Sequence, residues 1–214
     1  MELFTDAEAL DRYLAEHSHV EDPILNELAR HTYLNEVHPR MLSGHIMGSF
    51  LSMFSKMLAP EQILEIGTYT GYSAICLARG LRKGGKLITI EINDELRDTA
   101  KRFFRKAGLE EQIELINGDA LKVIPAIKGS FDLVFLDAHK DNYPKYYNLV
   151  IDRVPSGGHI LADNVLWGGK VLDDKLPDQT TRTIDQFNKM ITADERVDNL
   201  LLPIRDGVMV IKKR

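Results

Sequence analysis

Three oxygen-bearing side chains stand at the ends of two apolar runs. Phe131-Asp132-Leu133-Val134-Phe135-Leu136 leads into Asp137, and Gly158-His159-Ile160-Leu161-Ala162 leads into Asp163 and Asn164. Such runs read as buried parallel strands, whose carboxyl ends carry the binding residues in open α/β sheets. Two carboxylates and an amide, with neither a cysteine nor a histidine pair at ligand spacing, suit a hard octahedral cation that keeps open positions. Mg²⁺ is the expected ion, with Mn²⁺ or Ca²⁺ as alternatives. Two adjacent hydroxyls of a small aromatic molecule would fill those positions and be held in line with an electrophile. Lys140 follows Asp137 by three residues and can face the same cavity. A lysine beside a divalent cation gives up its proton more readily than one in water, so Lys140 is the expected general base. The bland alternative, a solvated lysine in Lys140-Asp141-Asn142-Tyr143, loses force because Asp137 stands beside it. His139 is open between a substrate contact and a ring in solvent, whereas His38, His45 and His159 read as structural.

A second cluster lies earlier, where an apolar run enters Glu65-Ile66-Gly67-Thr68-Tyr69-Thr70-Gly71-Tyr72-Ser73. Gly67 lets the backbone turn sharply against a ligand. Gly71 opens a helix whose free N–H groups can hold an anion. The spacing is not the dinucleotide fingerprint, because Tyr69 stands where a second glycine would admit a pyrophosphate. S-adenosylmethionine fits better: Ser73 and the helix start suit its carboxylate, Glu65 its cationic end and Glu91 its ribose hydroxyls. Glu91 ends the second apolar run about 20 residues past the glycine turn, as a ribose-binding acid should. Asp119, in Asn117-Gly118-Asp119-Ala120, falls where the adenine would lie. Either acid alone could merely cap the helix that follows it. Their placement at successive strand ends favours ligand binding.

The elements that must position these residues follow from periodicity. Strands are predicted at Gln62 to Ile66, Lys86 to Ile92, Ile113 to Ile116, Phe131 to Leu136 and Gly158 to Ala162. Helical stretches lie between them, at about Gly71 to Leu81, Asp94 to Ala107, Ala120 to Ile127 and Asn142 to Val154. Five strand and helix units in succession imply a parallel, doubly wound α/β sheet. A helix from about Thr180 to Ile191 precedes two runs, Val197 to Leu202 and Val208 to Lys212, joined by Arg205-Asp206-Gly207. So short a connection forces an antiparallel hairpin. The stretch from Thr5 to about Met57 shows only helical spacing, with Pro39 between its second and third helices.

The chain of 214 residues, 44% of them hydrophobic, suits one domain, with residues 1–58 as a helical cap and 59–214 as the cofactor-binding core. A net charge of -5 without a basic stripe makes nucleic acid an unfavoured partner. Cys76, the sole cysteine, reads as a buried apolar side chain. Met1-Glu2-Leu3-Phe4-Thr5-Asp6 lacks an apolar signal core, and no run is long enough to span a bilayer, so no membrane association and a cytoplasmic location are expected.

With these motifs in place the chain resembles the cation-dependent caffeoyl-CoA O-methyltransferases and, more distantly, catechol O-methyltransferase. The markers are the loop Glu65 to Ser73, Gly118-Asp119-Ala120, Asp137 with Lys140-Asp141-Asn142-Tyr143, and Asp163-Asn164-Val165-Leu166-Trp167, within a likeness covering about Met41 to Lys213. The resemblance implies the Rossmann-like class I methyltransferase fold, a seven-stranded, mostly parallel sheet ending in an antiparallel hairpin, with extra N-terminal helices. It implies Asp137, Asp163 and Asn164 as metal ligands and Lys140, with Asp137, as catalytic residues. For the cofactor it implies Glu65, Tyr69, Ser73, Glu91 and Asp119, joined by backbone of Met41 and Ala120. Gly67, Gly71 and Asp137 complete the expected cofactor site. A phenolic or catechol acceptor and a homodimer are further implications. Two departures concern the acceptor side. His139 stands where the plant-like enzymes carry Asp and the catechol enzymes an aromatic, and His45-Ile46-Met47-Gly48-Ser49-Phe50 lacks the glutamine often found before this Phe.

Three other readings compete. A transfer-RNA hydroxyuridine O-methyltransferase keeps the methyl donor and changes the acceptor. An NAD(P)-dependent oxidoreductase accounts for the glycine turn and Glu91 but leaves Asp137, Asp163 and Asn164 without a use. A catalytically dead binding protein on the same fold leaves Lys140 unexplained as well.

Overall fold

The structure, a computed structural model, describes residues 7–214, apart from the side chains of residues 7, 8 and 11; the N-terminal stretch Met1 to Asp6 lies outside the described residues. Apolar runs bounded by turns give strands β1 (Gln62–Ile66), β2 (Lys86–Glu91), β3 (Ile113–Asn117), β4 (Leu133–Leu136) and β5 (His159–Asp163). The hairpin strands are β6 (Val197–Leu202) and β7 (Val208–Lys213). They form one sheet in the order β3-β2-β1-β4-β5-β7-β6, parallel from β3 to β5 and antiparallel at both β7 pairings. β7 therefore slots between β5 and β6, with Asp163 opposite Val208. The strand order reverses between β1 and β4, and the crevice outside the strand ends opens at that switch point.

Among the described residues three α-helices precede the sheet: α1 (Ala7–Glu16), α2 (Pro23–Asn35) and α3 (Gly44–Leu58). A turn of 3-10 helix at Pro39–Met41 separates the last two, at the proline that marks the break in sequence. The crossover helices are α4 (Tyr72–Ala78), α5 (Arg97–Lys106), α6 (Ala120–Val123) and α7 (Tyr143–Val150); α8 (Gln179–Ala193) precedes the hairpin. α6 is half the predicted length. Pro125 has no N–H to continue the ladder, and the chain passes into a 3-10 turn at Ile124–Ala126. β4 begins two residues later than its apolar run, because Asp132 turns its carboxylate back to accept the N–H groups of Glu61 and Gln62. One core joins Leu64, Ile66, Val134 and Leu136 to α7 and α8, and the other joins Ile63, Leu133 and Phe135 to α2, α3, α4 and α5. α3 and α4 meet at Gly48, where a Cβ would stand 2.5 Å from the Tyr72 ring. Cys76 is buried there, its thiol pushed up to about 12 by burial, which leaves it an inert packing group. Among the described residues no helix is long and apolar enough to cross a membrane.

Candidate active site

The crevice deepens into a cavity of about 930 Å³, enough for a nucleoside cofactor and a small second molecule. Its floor is the ends of β1, β2, β4 and β5, and the segment Val37 to Ser43 roofs it. Gly67, Tyr69, Ser73, Glu91 and Ala120 line one end, and Asp137, Lys140, Asp163 and Asn164 line another, with Met41 on the roof. Three expected residues stand behind the wall. Glu65 lies fully buried beneath it, Gly71 packs against Phe104, and Asp119 caps α6 by accepting the Leu121 N–H at 3.0 Å. Strain gathers here as well: of six non-glycine residues with positive φ among the described residues, Tyr69, Asn164, Trp167 and Arg205 line the cavity.

The glycine loop is held from both sides. Gly67 has φ +102, and a Cβ on it would stand 2.2 Å from the Asp137 carbonyl oxygen, so the loop touches the β4 end only because that atom is absent. Glu91 accepts the N–H of Tyr69 at 2.7 Å and that of Asn93 at 2.9 Å, fixing the loop to the end of β2. A carboxylate has about four lone-pair directions, so two remain for ligand hydroxyls. The Tyr69 hydroxyl donates to the His38 carbonyl at 3.1 Å, which ties the loop to the roof.

Glu65 is the buried acid of this end. Burial pushes its carboxyl up to about 8, against hydrogen bonds from Ser73 and Thr89 that pull it down. Thr89 donates to Oε2 at 2.5 Å and receives from Thr68, while Oε1 has no partner among the described residues. An orphaned buried carboxyl oxygen is costly, and a cationic ligand group such as an amino acid ammonium would satisfy it and favour the ionised form.

At the other end two carboxylates approach each other. Asp163 is 5% exposed, and burial, then the charge of Asp137, pushes its carboxyl well above the usual range. Lys140 Nζ donates to Asp137 Oδ1 at 2.8 Å and to the Tyr143 hydroxyl at 2.7 Å. The Tyr143 hydroxyl lies 2.9 Å from the carbonyls of both Leu136 and Asp163, so it bridges the tips of β4 and β5. Asn164 holds φ +59, a conformation asparagine tolerates better than most residues. Among the described residues no group of three or more His, Cys, Asp or Glu could hold a metal ion; this set has two carboxylates and an amide. Its oxygen chemistry and the excess of negative charge over Lys140 fit a hard divalent cation.

Sequence reasoning assigned no role to Tyr143, Arg205, Arg40 or His38. Tyr143 stood in plain view beside Lys140, but the bridge between two strand tips is a tertiary contact. The other three come from the cap and the hairpin, far from the site in sequence, and His38, read as structural, lines the cavity. His159 begins β5, at the opposite end from Asp163, with its ring edge-on to Phe54.

A doubly wound sheet with an inserted antiparallel strand, a glycine loop at the switch point and an acid ending β2 define a class I S-adenosylmethionine-dependent methyltransferase. The chain belongs to the O-methyltransferase family, whose model matches residues 15–214, and it is of the caffeoyl-CoA O-methyltransferase type. It is 36% identical over 180 residues to caffeoyl-CoA O-methyltransferase 2 of Petunia hybrida, covering 78% of this chain and 74% of that one. Among solved structures it resembles an O-methyltransferase of Bacillus cereus in complex with S-adenosylhomocysteine (TM-score 0.89, 29% identity, 96% and 97% of the two chains). A Podospora anserina methyltransferase, also S-adenosylhomocysteine-bound, superposes at TM-score 0.90 with 30% identity over 99% and 98%. The protein is thus an S-adenosylmethionine-dependent O-methyltransferase.

Proposed function

We propose that this enzyme is cation-dependent and methylates one of two adjacent hydroxyls on a small catechol-like phenol. The observation that carries the proposal is the pairing of Asp137 and Asp163 at neighbouring strand tips beside Asn164, facing the cavity with Lys140 alongside. Two carboxylates gathered against one lysine leave a deficit of positive charge that a divalent cation would fill. The kinship with caffeoyl-CoA O-methyltransferases, named for an acceptor with a dihydroxyphenyl ring, supports the same reading.

Asp137, Asp163 and Asn164 would hold the cation, which, when bound, supplies Lewis acidity to an acceptor oxygen and fixes its direction. Glu65 and Ser73 would hold the amino acid end of the donor, Glu91 its ribose, and Asp119 and Ala120 would border its adenine; Met41 would close over it. The acceptor oxygen forms its bond to the methyl carbon as the carbon–sulfur bond breaks, leaving S-adenosylhomocysteine. Lys140, in its neutral amine form, would take up the hydroxyl proton and become the ammonium, from a position set by Asp137 and Tyr143. His139, exposed on the wall, would face the acceptor.

Asp163→Ala should abolish turnover of a catechol in Mg²⁺ or Mn²⁺ and leave S-adenosylmethionine binding by calorimetry within a few-fold of the parent. Lys140→Ala should slow the single-turnover rate by roughly 10²- to 10⁴-fold with little change in donor KM. An active, chelator-insensitive Asp163→Ala enzyme would remove the metal from the proposal.

A further inference from the structure

Three cations line the cavity, and only Lys140 has a carboxylate partner; Arg40 and Arg205 form no ion pair among the described residues. Arg205 occupies the tight turn between β6 and β7, closed by the Gly207 N–H on the Ile204 carbonyl, and it holds φ +50. Glycine suits such a position, and a bulky side chain there persists only when the surroundings enforce it. The turn is enforced. Asp206 accepts the Gly168 N–H on its side chain and the Leu166 N–H on its carbonyl, and the Gly207 carbonyl accepts from Val165.

The effect is to aim the guanidinium at the cavity. Nη1 lies 3.4 Å from the Leu42 carbonyl, a weak contact that leaves most of its five donors unused. Nη1 packs over Gly44, where a Cβ would stand 2.9 Å from it. The turn that Arg205 tops lies beside the tip of β5, where Asp163 pairs with Val208 and the Val165 and Leu166 N–H groups donate to the Gly207 and Asp206 carbonyls, which places it near the end of the cavity where the acceptor hydroxyls would sit. A ring that presents its hydroxyls to Asp137 and Asp163 turns its other substituent to the remaining wall, and Arg205 is the cation on the turn that packs beside the β5 tip.

We propose that Arg205 selects the acceptor: its guanidinium pairs with an oxyanion, carboxylate or phosphate, carried by the phenol, so that anionic phenols are the preferred substrates. The inference rests on the catechol-type reading above. A fixed guanidinium matches an oxyanion bidentately, and such charge-assisted pairs are among the stronger hydrogen bonds.

The test compares 3,4-dihydroxybenzoate, its neutral methyl ester and its coenzyme A thioester as acceptors for the native enzyme and for Arg205→Gln, Arg205→Lys and Arg205→Gly. The native enzyme should favour an anionic acceptor over the ester by about tenfold or more in kcat/KM, mostly through KM. Arg205→Gln should bring that ratio near one and leave the ester's kcat/KM within about twofold, while Arg205→Lys retains part of the preference. Arg205→Gly, which suits the left-handed turn, should melt no lower than the native protein and still lose the preference, separating recognition from folding. A preference for the free acid assigns the carboxylate, and one confined to the thioester assigns the phosphates. Equal losses on all three acceptors would overturn the proposal and leave Arg205 as a packing contact between the β6–β7 turn and the Leu42 to Gly44 segment. Metal-dependent methylation without any anionic preference would overturn it while leaving the catechol reading intact; no methylation of any of the three would overturn both.

Discussion

Replacing Tyr143 by Phe removes one oxygen from the centre of the site and nothing from its packing. The ring is fully buried, edge-on to Phe187 at 5.4 Å, and should keep its place. The hydroxyl donates its one proton to the Leu136 or the Asp163 carbonyl and accepts from the Lys140 ammonium, so two hydrogen bonds are lost at a time. A neutral bond contributes about 1 kcal/mol and one to a charged group about 1.5–3 kcal/mol, which puts the cost near 3 kcal/mol. For a chain of this length that corresponds to a fall in Tm of roughly 6–12 °C. The Lys140 side chain, 10% exposed, keeps Asp137 as its remaining partner and can swing about that single contact. Loosening a reacting group in this way costs roughly ten- to a hundredfold in rate. Differential scanning calorimetry and single-turnover methylation measure the two effects together, and donor affinity should be unchanged. A Tyr143→Phe enzyme with native Tm and native rate would refute the idea that this hydroxyl binds the tips of β4 and β5 and holds Lys140.

Glu65 gives the protein a pH signature. Burial raises its carboxyl from 4.5 in the unfolded chain to about 8 in the folded protein. Across that window the folded state keeps a proton the unfolded chain has released, so this group's contribution to stability falls as pH rises. Denaturant titrations of the ligand-free protein should show Glu65→Gln gaining stability relative to the parent between about pH 5 and about pH 8, and a flat difference would contradict the assignment. Donor binding should release close to one proton near pH 7 as the carboxylate ionises against the incoming ammonium, measured by calorimetry in two buffers and absent in Glu65→Gln. Gly67→Ala combines φ +102 with a Cβ 2.2 Å from the Asp137 carbonyl, and it should cost at least about 3 kcal/mol and abolish donor binding, read by thermal shift with and without S-adenosylmethionine.

Much of this enzyme can be read along the chain because its signals are local. Strands buried on both faces must be largely apolar, so β1, β2, β4 and β5 show as runs, the edge strand β3 shows more faintly with Glu114 exposed, and each run's end marks where a ligand can be met. That is why Glu91, Asp137, Asp163 and Asn164 stand out before any coordinates. Asp119 shows the limit of the same rule. It ends the third run as a ligand acid would, and its Oδ1 also caps α6, so the end of a run does not by itself tell a ligand acid from a helix cap.

What the sequence alone determined is the alternation of strand and helix, the glycine loop and the oxygen-bearing residues at strand ends, all set by periodicity and nearest neighbours. Tertiary structure decided the rest. It slotted β7 between β5 and β6, which carried the Arg205 turn to the wall of the cavity, and it folded Val37 to Ser43 over the cofactor loop. It also set the Tyr143 hydroxyl between two strand tips and left Glu65 Oε1 buried without a partner. These depend on which distant surfaces bury one another, and a buried polar group takes its partner, or lacks one, only when that packing is complete.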